Sequence, residues 1–170
     1  MSTPHSTFIL KKVDFGSGRA EYDLLRSMPE ENGFLNDAYL LPYDRFEAWV
    51  ARQMESSLGM NLSEGYVPQT TYWFYADGIP VGRAKLRHRL TDSLRREGGH
   101  IGYGIAPAHR GKGYAATMLR LVLREARAMG IEQALVTIDE DNAASRAVAE
   151  RCGGVLQDTE GGIARYWLAT

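Results

Sequence analysis

A loop rich in glycine and basic residues is the part of this sequence best suited to chemistry. It covers residues 110–115, between a short apolar segment and a long amphipathic one. Gly111 and Gly113 allow the backbone to come close to a ligand, since they carry no Cβ atom. Arg110 and Lys112 add positive charge, and the first N–H groups of the following helix have no partner within the helix. This order of strand, glycine loop and helix predicts a site for a phosphate group.

The same loop has two other interpretations. Residues 111–116 match a relaxed dinucleotide pattern, G-x-G-x-x-A, which should follow a strand directly within a βαβ unit. Here the segment 107–110 separates the strand from the glycines, and the motif comes late in the chain. A turn that merely uses glycine is the other alternative.

The loop also resembles a motif of a known family. Arg110, Gly113 and Ala115 fit the acyl-CoA-binding pattern R/Q-x-x-G-x-G/A of the GNAT superfamily of N-acetyltransferases. The stretch 141–154 resembles that family's asparagine loop, following helix and terminal glycine, with Asn142 at the asparagine position. The N-terminal half resembles a bacterial branch of predicted acetyltransferases, whose pattern does not indicate an acceptor. We therefore favour the acyl-CoA interpretation of the loop.

The resemblance implies a reaction and a set of binding residues. It implies acetyl-CoA as co-substrate, no metal, and transfer of the acetyl group to a primary amine of a small molecule or peptide by direct attack. A non-catalytic acyl-CoA sensor is the alternative, and a dinucleotide-binding protein is a weaker one. The implied cofactor-binding residues are Tyr103, Gly104, Ile105, Arg110, Gly111, Lys112, Gly113, Tyr114, Ala115, Asn142 and Ser145.

The candidate catalytic residues are Glu97, His100 and Tyr103. Glu97 precedes the central strand, where family members sometimes place a carboxylate that acts through water. His100 begins that strand, and imidazole titrates in a useful range. Tyr103 lies between two glycines, which predict a bulge or a close backbone approach. Family members often carry a tyrosine that protonates the leaving thiolate, but Ala149 stands at that position, so the acid must come from elsewhere or be dispensable.

The elements that must position these residues follow from hydrophobic periodicity and turn residues. The dipeptide Asp77-Gly78 predicts a hairpin, and 90–99 is expected to be a polar loop. Strands are expected at about 7–13, 70–76, 81–89, 100–106, 134–138, 155–158 and 163–169, and helices at about 19–28, 43–58, 113–129 and 143–151.

The order of these elements predicts an α/β fold of the mixed α+β type. We expect a GNAT-like central mixed, mostly antiparallel sheet flanked by helices, in a single domain over 1–170. The acceptor side is expected in about 1–99 and the acyl-CoA side in about 100–170.

Composition narrows the classes of function. The chain has 170 residues, 44% of them hydrophobic and 24% charged, as in an ordinary globular domain. A net charge of −1 argues against nucleic-acid binding driven by overall charge. The sequence shows one cysteine, no membrane-length apolar run and no signal-peptide pattern. We expect a cytoplasmic monomer or homodimer without nucleic-acid or membrane partners. The basic segment 83–96 is expected to be a solvated strand face, with attraction of an anionic acceptor or of the CoA nucleotide as the alternative.

Overall fold

Two antiparallel sheets and five helices make up the fold in the computed structural model, which describes residues 6–170. The first sheet has the order β1-β2-β3-β4, with β1 (Phe8–Lys12), β2 (Gln69–Ala76), β3 (Ile79–Arg87) and β4 (Ile101–Ile105). The second has the order β5-β7-β6, with β5 (Gln133–Asp139), β6 (Val155–Glu160) and β7 (Ile163–Ala169). The helices are α1 (Arg19–Arg26), α2 (Phe46–Ser57), α3 (Asp92–Arg96), α4 (Tyr114–Ala128) and α5 (Ala143–Arg151).

The predicted α/β fold with mostly antiparallel strands and flanking helices is confirmed, with two refinements. The strands form two sheets, because no ladder joins β4 to β5 in the described part of the chain. Helix α3 lies in the segment that was expected to be a polar loop. Its start is capped by Thr91, whose hydroxyl accepts the Leu94 N–H at 3.2 Å. So short a helix shows no apolar period, and periodicity therefore missed it.

The hydrophobic core has two parts, one on each face of the first sheet. The larger part includes Phe74 and Leu86 and lies between both sheets, α4 and α5. The smaller part includes Trp73 and lies under α1 and α2. Successive residues of a strand point to opposite faces, so neighbouring residues such as Trp73 and Phe74 belong to different parts. Among residues 6–170, no helix is long and apolar enough to cross a membrane.

The two sheets are joined at one end of β4. The His100 N–H donates to the Leu135 carbonyl at 2.7 Å, and the Leu135 N–H donates to Nδ1 of the His100 ring at 2.9 Å. The Gly98 N–H donates to Oγ1 of Thr137 at 2.8 Å. Beyond these bonds the facing edges of β4 and β5 are not paired, which leaves an opening between the sheets.

Gly99 lets this junction close. Its φ is +58°, and a Cβ placed there would lie 2.4 Å from the carbonyl oxygen of Leu135. Gly161 provides a control, since its φ is +60° and a Cβ there would meet nothing within 4 Å.

We expect Gly99→Ala to lower the free energy of unfolding by about 1–3 kcal/mol more than Gly161→Ala does. Both variants place alanine in a left-handed conformation, which costs about 1–2 kcal/mol, but only Gly99→Ala adds a clash with backbone. Urea denaturation of both variants measures the difference. Equal losses of stability would show that the junction tolerates a Cβ.

Candidate functional site

A cavity of about 1210 Å³ fills the opening between the sheets. One wall is the segment between α1 and α2, including Phe34. The other wall contains the glycine loop before α4 and the start of α5, including Asn142 and Ser145. Side chains of β3 and the residues of β4 lie between these walls. The opening therefore has the size and the mixed lining of a ligand site.

The glycine loop presents backbone to this cavity. Gly111 and Gly113 have φ values of +76° and +75°, and a Cβ at either position would meet nothing within 4 Å. Gly113 is the residue before α4, and no side chain caps that helix. The first N–H groups of α4, beginning at Tyr114, are thus left without intrahelical partners. Both conditions favour an anion at this end of the cavity.

The side chains of the loop are held from several directions. Arg110 donates through Nε to the Ile105 carbonyl at 3.0 Å, and its guanidinium forms an ion pair with Glu31. The Tyr114 ring lies edge-on to Phe8, with centroids 5.5 Å apart, so this side chain anchors the loop to the core. Lys112 is exposed, with Nζ 5.8 Å from the Tyr114 ring centroid. Ala115 follows in the first turn of α4 and lines the cavity.

The glycines of β4 predicted either a bulge or a close backbone approach, and the structure shows no bulge. The pairing of β4 with β3 is continuous from Ile101 to Ile105. Instead, Gly104 allows close packing, and Gly102 leaves open space beside the strand. A Cβ on Gly104 would lie 2.9 Å from the Phe34 ring, whereas one on Gly102 would meet nothing within 4 Å.

The ladder between β3 and β4 determines which backbone groups face the opening. The Arg87 N–H donates to His100, and the Ala106 N–H donates to Val81. Alternate residues of an antiparallel strand pair with the same neighbour, so the even-numbered residues of β4 face β3. The odd-numbered residues direct their N–H and C=O groups toward the unpaired edge; these are Ile101, Tyr103 and Ile105.

Tyr103 connects β4 to α5. Its hydroxyl lies 3.0 Å from Oγ of Ser145, and burial raises the pKa of Tyr103 to about 12. Asn142 caps α5, since its Oδ1 accepts the Ser145 N–H at 3.1 Å. Ala149, which stands at the family's tyrosine position, is buried and presents no polar side chain. Tyr103 therefore presents its phenol hydroxyl on the cavity wall beside α5.

The two remaining candidates, Glu97 and His100, lie in different environments. Glu97 is exposed just after α3 and lines the cavity. His100 is buried in the junction between the sheets. Burial, with Arg95 and Arg87 nearby, lowers the pKa of His100 to about 4. Because Nδ1 accepts the Leu135 N–H, the neutral ring carries its proton on Nε2.

The cavity includes a row of cations that the sequence analysis assigned to a ligand only as the alternative interpretation. Arg83, Lys85 and Arg87 of β3 all line it. Arg83 is only 1% exposed, so the prediction of a solvated strand face was wrong at this residue. Its guanidinium donates to the Leu35 carbonyl and lies 4.9 Å from the Phe34 ring centroid, which fixes the α1–α2 segment over β3. Basic residues at alternate positions of an otherwise apolar strand were the available signal.

Comparison with known families places the chain among acetyl-transferring proteins. A family model for the acetyltransferase (GNAT) domain matches residues 22–155, most of the chain. No curated protein sequence matches the chain significantly.

Solved structures share the fold at low sequence identity. The structure of yncA from Salmonella typhimurium with acetyl-CoA is 17% identical, with a TM-score of 0.62 over 95% of this chain and 93% of that one. An acetyl transferase from Salmonella typhimurium that modifies the N-terminal serine of ribosomal protein L7/L12 is 18% identical, with a TM-score of 0.66 over 96% and 95%. A spermidine N-acetyltransferase chimera from Vibrio cholerae and hSSAT is 15% identical, with a TM-score of 0.62 over 95% of both chains.

The buried position of His100 predicts the protonation state of its ring. The ring should stay neutral, with its proton on Nε2, between about pH 5 and 8, where an unperturbed histidine changes charge. Two-dimensional NMR of the imidazole nitrogens measures this directly. A His100 ring that titrates near its ordinary value would contradict the assignment.

The same shift predicts a pH dependence of stability. The unfolded chain takes up this proton near about pH 6.5 and the folded chain only near pH 4, so the contribution of His100 is complete above about pH 6.5. It is lost as the pH falls through this window, by about 3 kcal/mol in total. His100→Asn offers an acceptor that does not titrate, and urea denaturation of this variant should show a smaller loss.

Proposed function

The chain belongs to the GNAT acetyltransferase family, and we propose that it transfers the acetyl group of acetyl-CoA to a primary amine of a small molecule or peptide. The observation that carries this proposal is the glycine loop. Gly111 and Gly113 place the uncapped start of α4 on the same cavity as the free edge of β4. One site can thus bind both the phosphates and the thioester of an acyl-CoA donor.

The donor-binding residues have distinct roles in this proposal. Backbone N–H groups of 111–115 bind the pyrophosphate, as the positive end of α4 favours. Lys112 adds positive charge from the exposed side of the loop. Arg110 adds positive charge once its ion pair with Glu31 is broken. The free edge of β4 from Tyr103 to Ile105 offers N–H groups to the acyl chain, while Asn142 and Ser145 approach it from α5. The support from relatives is that yncA, which shares the fold, was solved with acetyl-CoA.

Little covalent help is needed, because a thioester is already activated. The chain's contribution is to hold both partners, polarise the carbonyl and supply or remove protons. The N–H groups at the free edge of β4 can polarise the carbonyl oxygen. The Tyr103 hydroxyl is proposed to protonate the departing sulfur in place of the tyrosine replaced by Ala149. Its raised pKa keeps the phenol protonated, and Ser145 accepts or donates beside it.

Glu97 is the proposed base. It lines the cavity, is exposed to water and can take the amine proton through a water molecule. His100 is better suited to a positioning role. Its lowered pKa makes it a weak base, and its Nδ1 is already bonded across the junction.

Donor binding is tested at Gly113. Asp and Asn adopt positive φ elsewhere in this chain, at Asn32 and Asp77, so both can replace Gly113 without unfolding the loop. Gly113→Asp places a negative charge at the pyrophosphate site, and we expect it to bind acetyl-CoA about tenfold more weakly than Gly113→Asn. Calorimetry with acetyl-CoA, NAD and ATP measures the affinities. Equal affinities of the two variants would remove the phosphate site from this loop, whereas a preference for NAD over acetyl-CoA would favour the dinucleotide interpretation instead.

Turnover distinguishes the enzyme from a sensor that only binds acyl-CoA. CoA release, followed with a thiol reagent across amines, amino acids and peptides, should show an acceptor. Binding of acetyl-CoA without release on any acceptor would favour the sensor.

The pH–rate profile tests the base. Glu97→Gln should lower kcat by about 10²–10⁴-fold and remove the acidic limb, with acetyl-CoA affinity unchanged. Tyr103→Phe should lower kcat but keep that limb, because it removes a proton donor. His100→Asn should also keep it, since the bond to Leu135 survives. An acidic limb that persists in Glu97→Gln and vanishes in His100→Asn would transfer the role of base to His100.

A further inference from the structure

The acceptor side of the cavity is lined by three positively charged side chains of β3, which together form a cationic floor. Arg83, Lys85 and Arg87 alternate along β3 and therefore lie on one face, the face covered by α1 and α2. Arg83 and Lys85 pair across the sheet with glycines of β4, whereas the Arg87 N–H donates to His100. Gly102 lies opposite Lys85, and a Cβ built on it would meet nothing within 4 Å. The space beside Lys85 is thus open to a ligand.

The three cations differ in the partners that they have. Arg87 donates from Nη1 to the carbonyls of Gly98 and Gly99 at 2.8 and 3.2 Å. Arg83 is bound by the α1–α2 segment, although its Nε has no partner and is fully buried. The half-buried ammonium of Lys85 makes no hydrogen bond and no ion pair with any residue of 6–170. Within the described chain, Asp37 attracts the Lys85 ammonium from a distance, but no group bonds to it directly.

Five acidic side chains line the same cavity, but none forms an ion pair with Lys85; they are Glu30, Glu31, Asp37, Glu97 and Asp139. Glu31 pairs with Arg110, and Asp37 lies 3.8 Å from Arg83. Glu97 lines the cavity and is exposed. Burial, with Arg83 and Arg87 nearby, outweighs the attraction of Asp37 and lowers the pKa of Lys85 to about 8, so an anion that approached it would relieve an unfavourable charge arrangement.

Polar groups beside Lys85 could complete an anion site. The Thr71 hydroxyl donates to Oε1 of Gln53 at 2.8 Å, which leaves the amide N–H2 of Gln53 free to donate. Gln53, Gln69 and Tyr66 all line the cavity. Donors on a cationic floor are the arrangement that recognises carboxylate and phosphate groups.

We propose that the acceptor is a small amine that carries a carboxylate or phosphate group, and that Lys85, supported by Arg87 and Gln53, binds this anionic group. The inference depends on the proposed transferase function, since it assigns the acceptor of the same site. The anionic group is not altered: the amine nitrogen forms the bond to the acetyl carbon, and the amine proton leaves through water to Glu97. The thioester bond breaks with its electron pair on the CoA sulfur, which takes a proton from Tyr103 and leaves as free CoA. A polyamine would meet repulsion at the same floor, because its second ammonium would face Lys85.

Matched acceptors test the proposal on the unmodified protein. Unbranched ω-amino acids of about two to six carbons are compared with their amides, with ω-aminoalkyl phosphonates and with spermidine. A charge-assisted contact should raise kcat/KM for the acids at least about tenfold over the amides of equal length. The phosphonate series shows whether the site prefers phosphate geometry. Amides or spermidine that match or exceed the acids would overturn the proposal.

Variants locate the effect. Lys85→Met should lower kcat/KM for the anionic acceptors by about 10–100-fold, chiefly through KM, and leave the amides unchanged. Lys12→Met is the control, since Lys12 is exposed on β1 and does not line the cavity. Lys85 has no partner to lose, so the melting temperature should not fall, and Lys85→Gln gives a second, polar replacement. An equal loss on acids and amides would contradict the assignment.

A binding measurement separates this inference from the transferase proposal. Calorimetry of the same acids and amides against the protein with bound CoA requires no turnover. If acids bind more tightly than amides and Lys85→Met removes the difference, the anion site stands even when no acceptor is acetylated, and the transferase proposal alone fails. If acids bind no better than amides, the anion site is wrong, whatever the turnover.

Discussion

The unpaired edges of β4 and β5 are the constraint on which the rest of the structure depends. A sheet edge presents N–H and C=O groups that ordinarily seek partners, and two facing edges would ordinarily join. Here they meet only at the end marked by His100 and Leu135, where ring and backbone both bridge the gap. Packing of α4 and α5 across both sheets holds the rest apart. The opening is therefore built into the fold, and ligand groups can take the place of the missing strand partners.

A buried charge performs a similar task on the opposite side of the cavity. Arg83 lies almost wholly out of water with one nitrogen unpartnered, an arrangement that gives little or no net stability. It nevertheless bonds the segment containing Leu35 and Asn36 and lies over the Phe34 ring. This segment would otherwise be a long connection between α1 and α2 with few ties to the sheet. The shape of the cavity thus depends on an interaction that a purely apolar core would not need.

Local patterns predicted what local geometry determines. The glycine loop at Gly111 and Gly113 and the Asp77-Gly78 hairpin depend on residues close in sequence, and both were predicted. The position of His100 in the junction could not be predicted, because its partner Leu135 lies 35 residues away. The burial of Arg83 was missed for the same reason, since its partners Asn36 and Leu35 lie 47 and 48 residues away in sequence. The glycines of β4 were compatible with either a bulge or a close backbone approach, and the packing of Gly104 against Phe34 shows the close approach.

The alternation along β3 has an evolutionary consequence. Ala84 and Leu86 point into the main core, while Arg83, Lys85 and Arg87 point into the cavity. Point substitutions at Lys85 or Arg87 can therefore alter the ligand preferences of a descendant protein without changing the main core, whereas Arg83 also holds the segment that shapes the cavity. Insertion or deletion of a single residue in this strand would exchange the two sets, burying charge in the core and exposing leucine to the ligand. During evolution, β3 can therefore accept substitutions at these positions but not a change in the number of its residues.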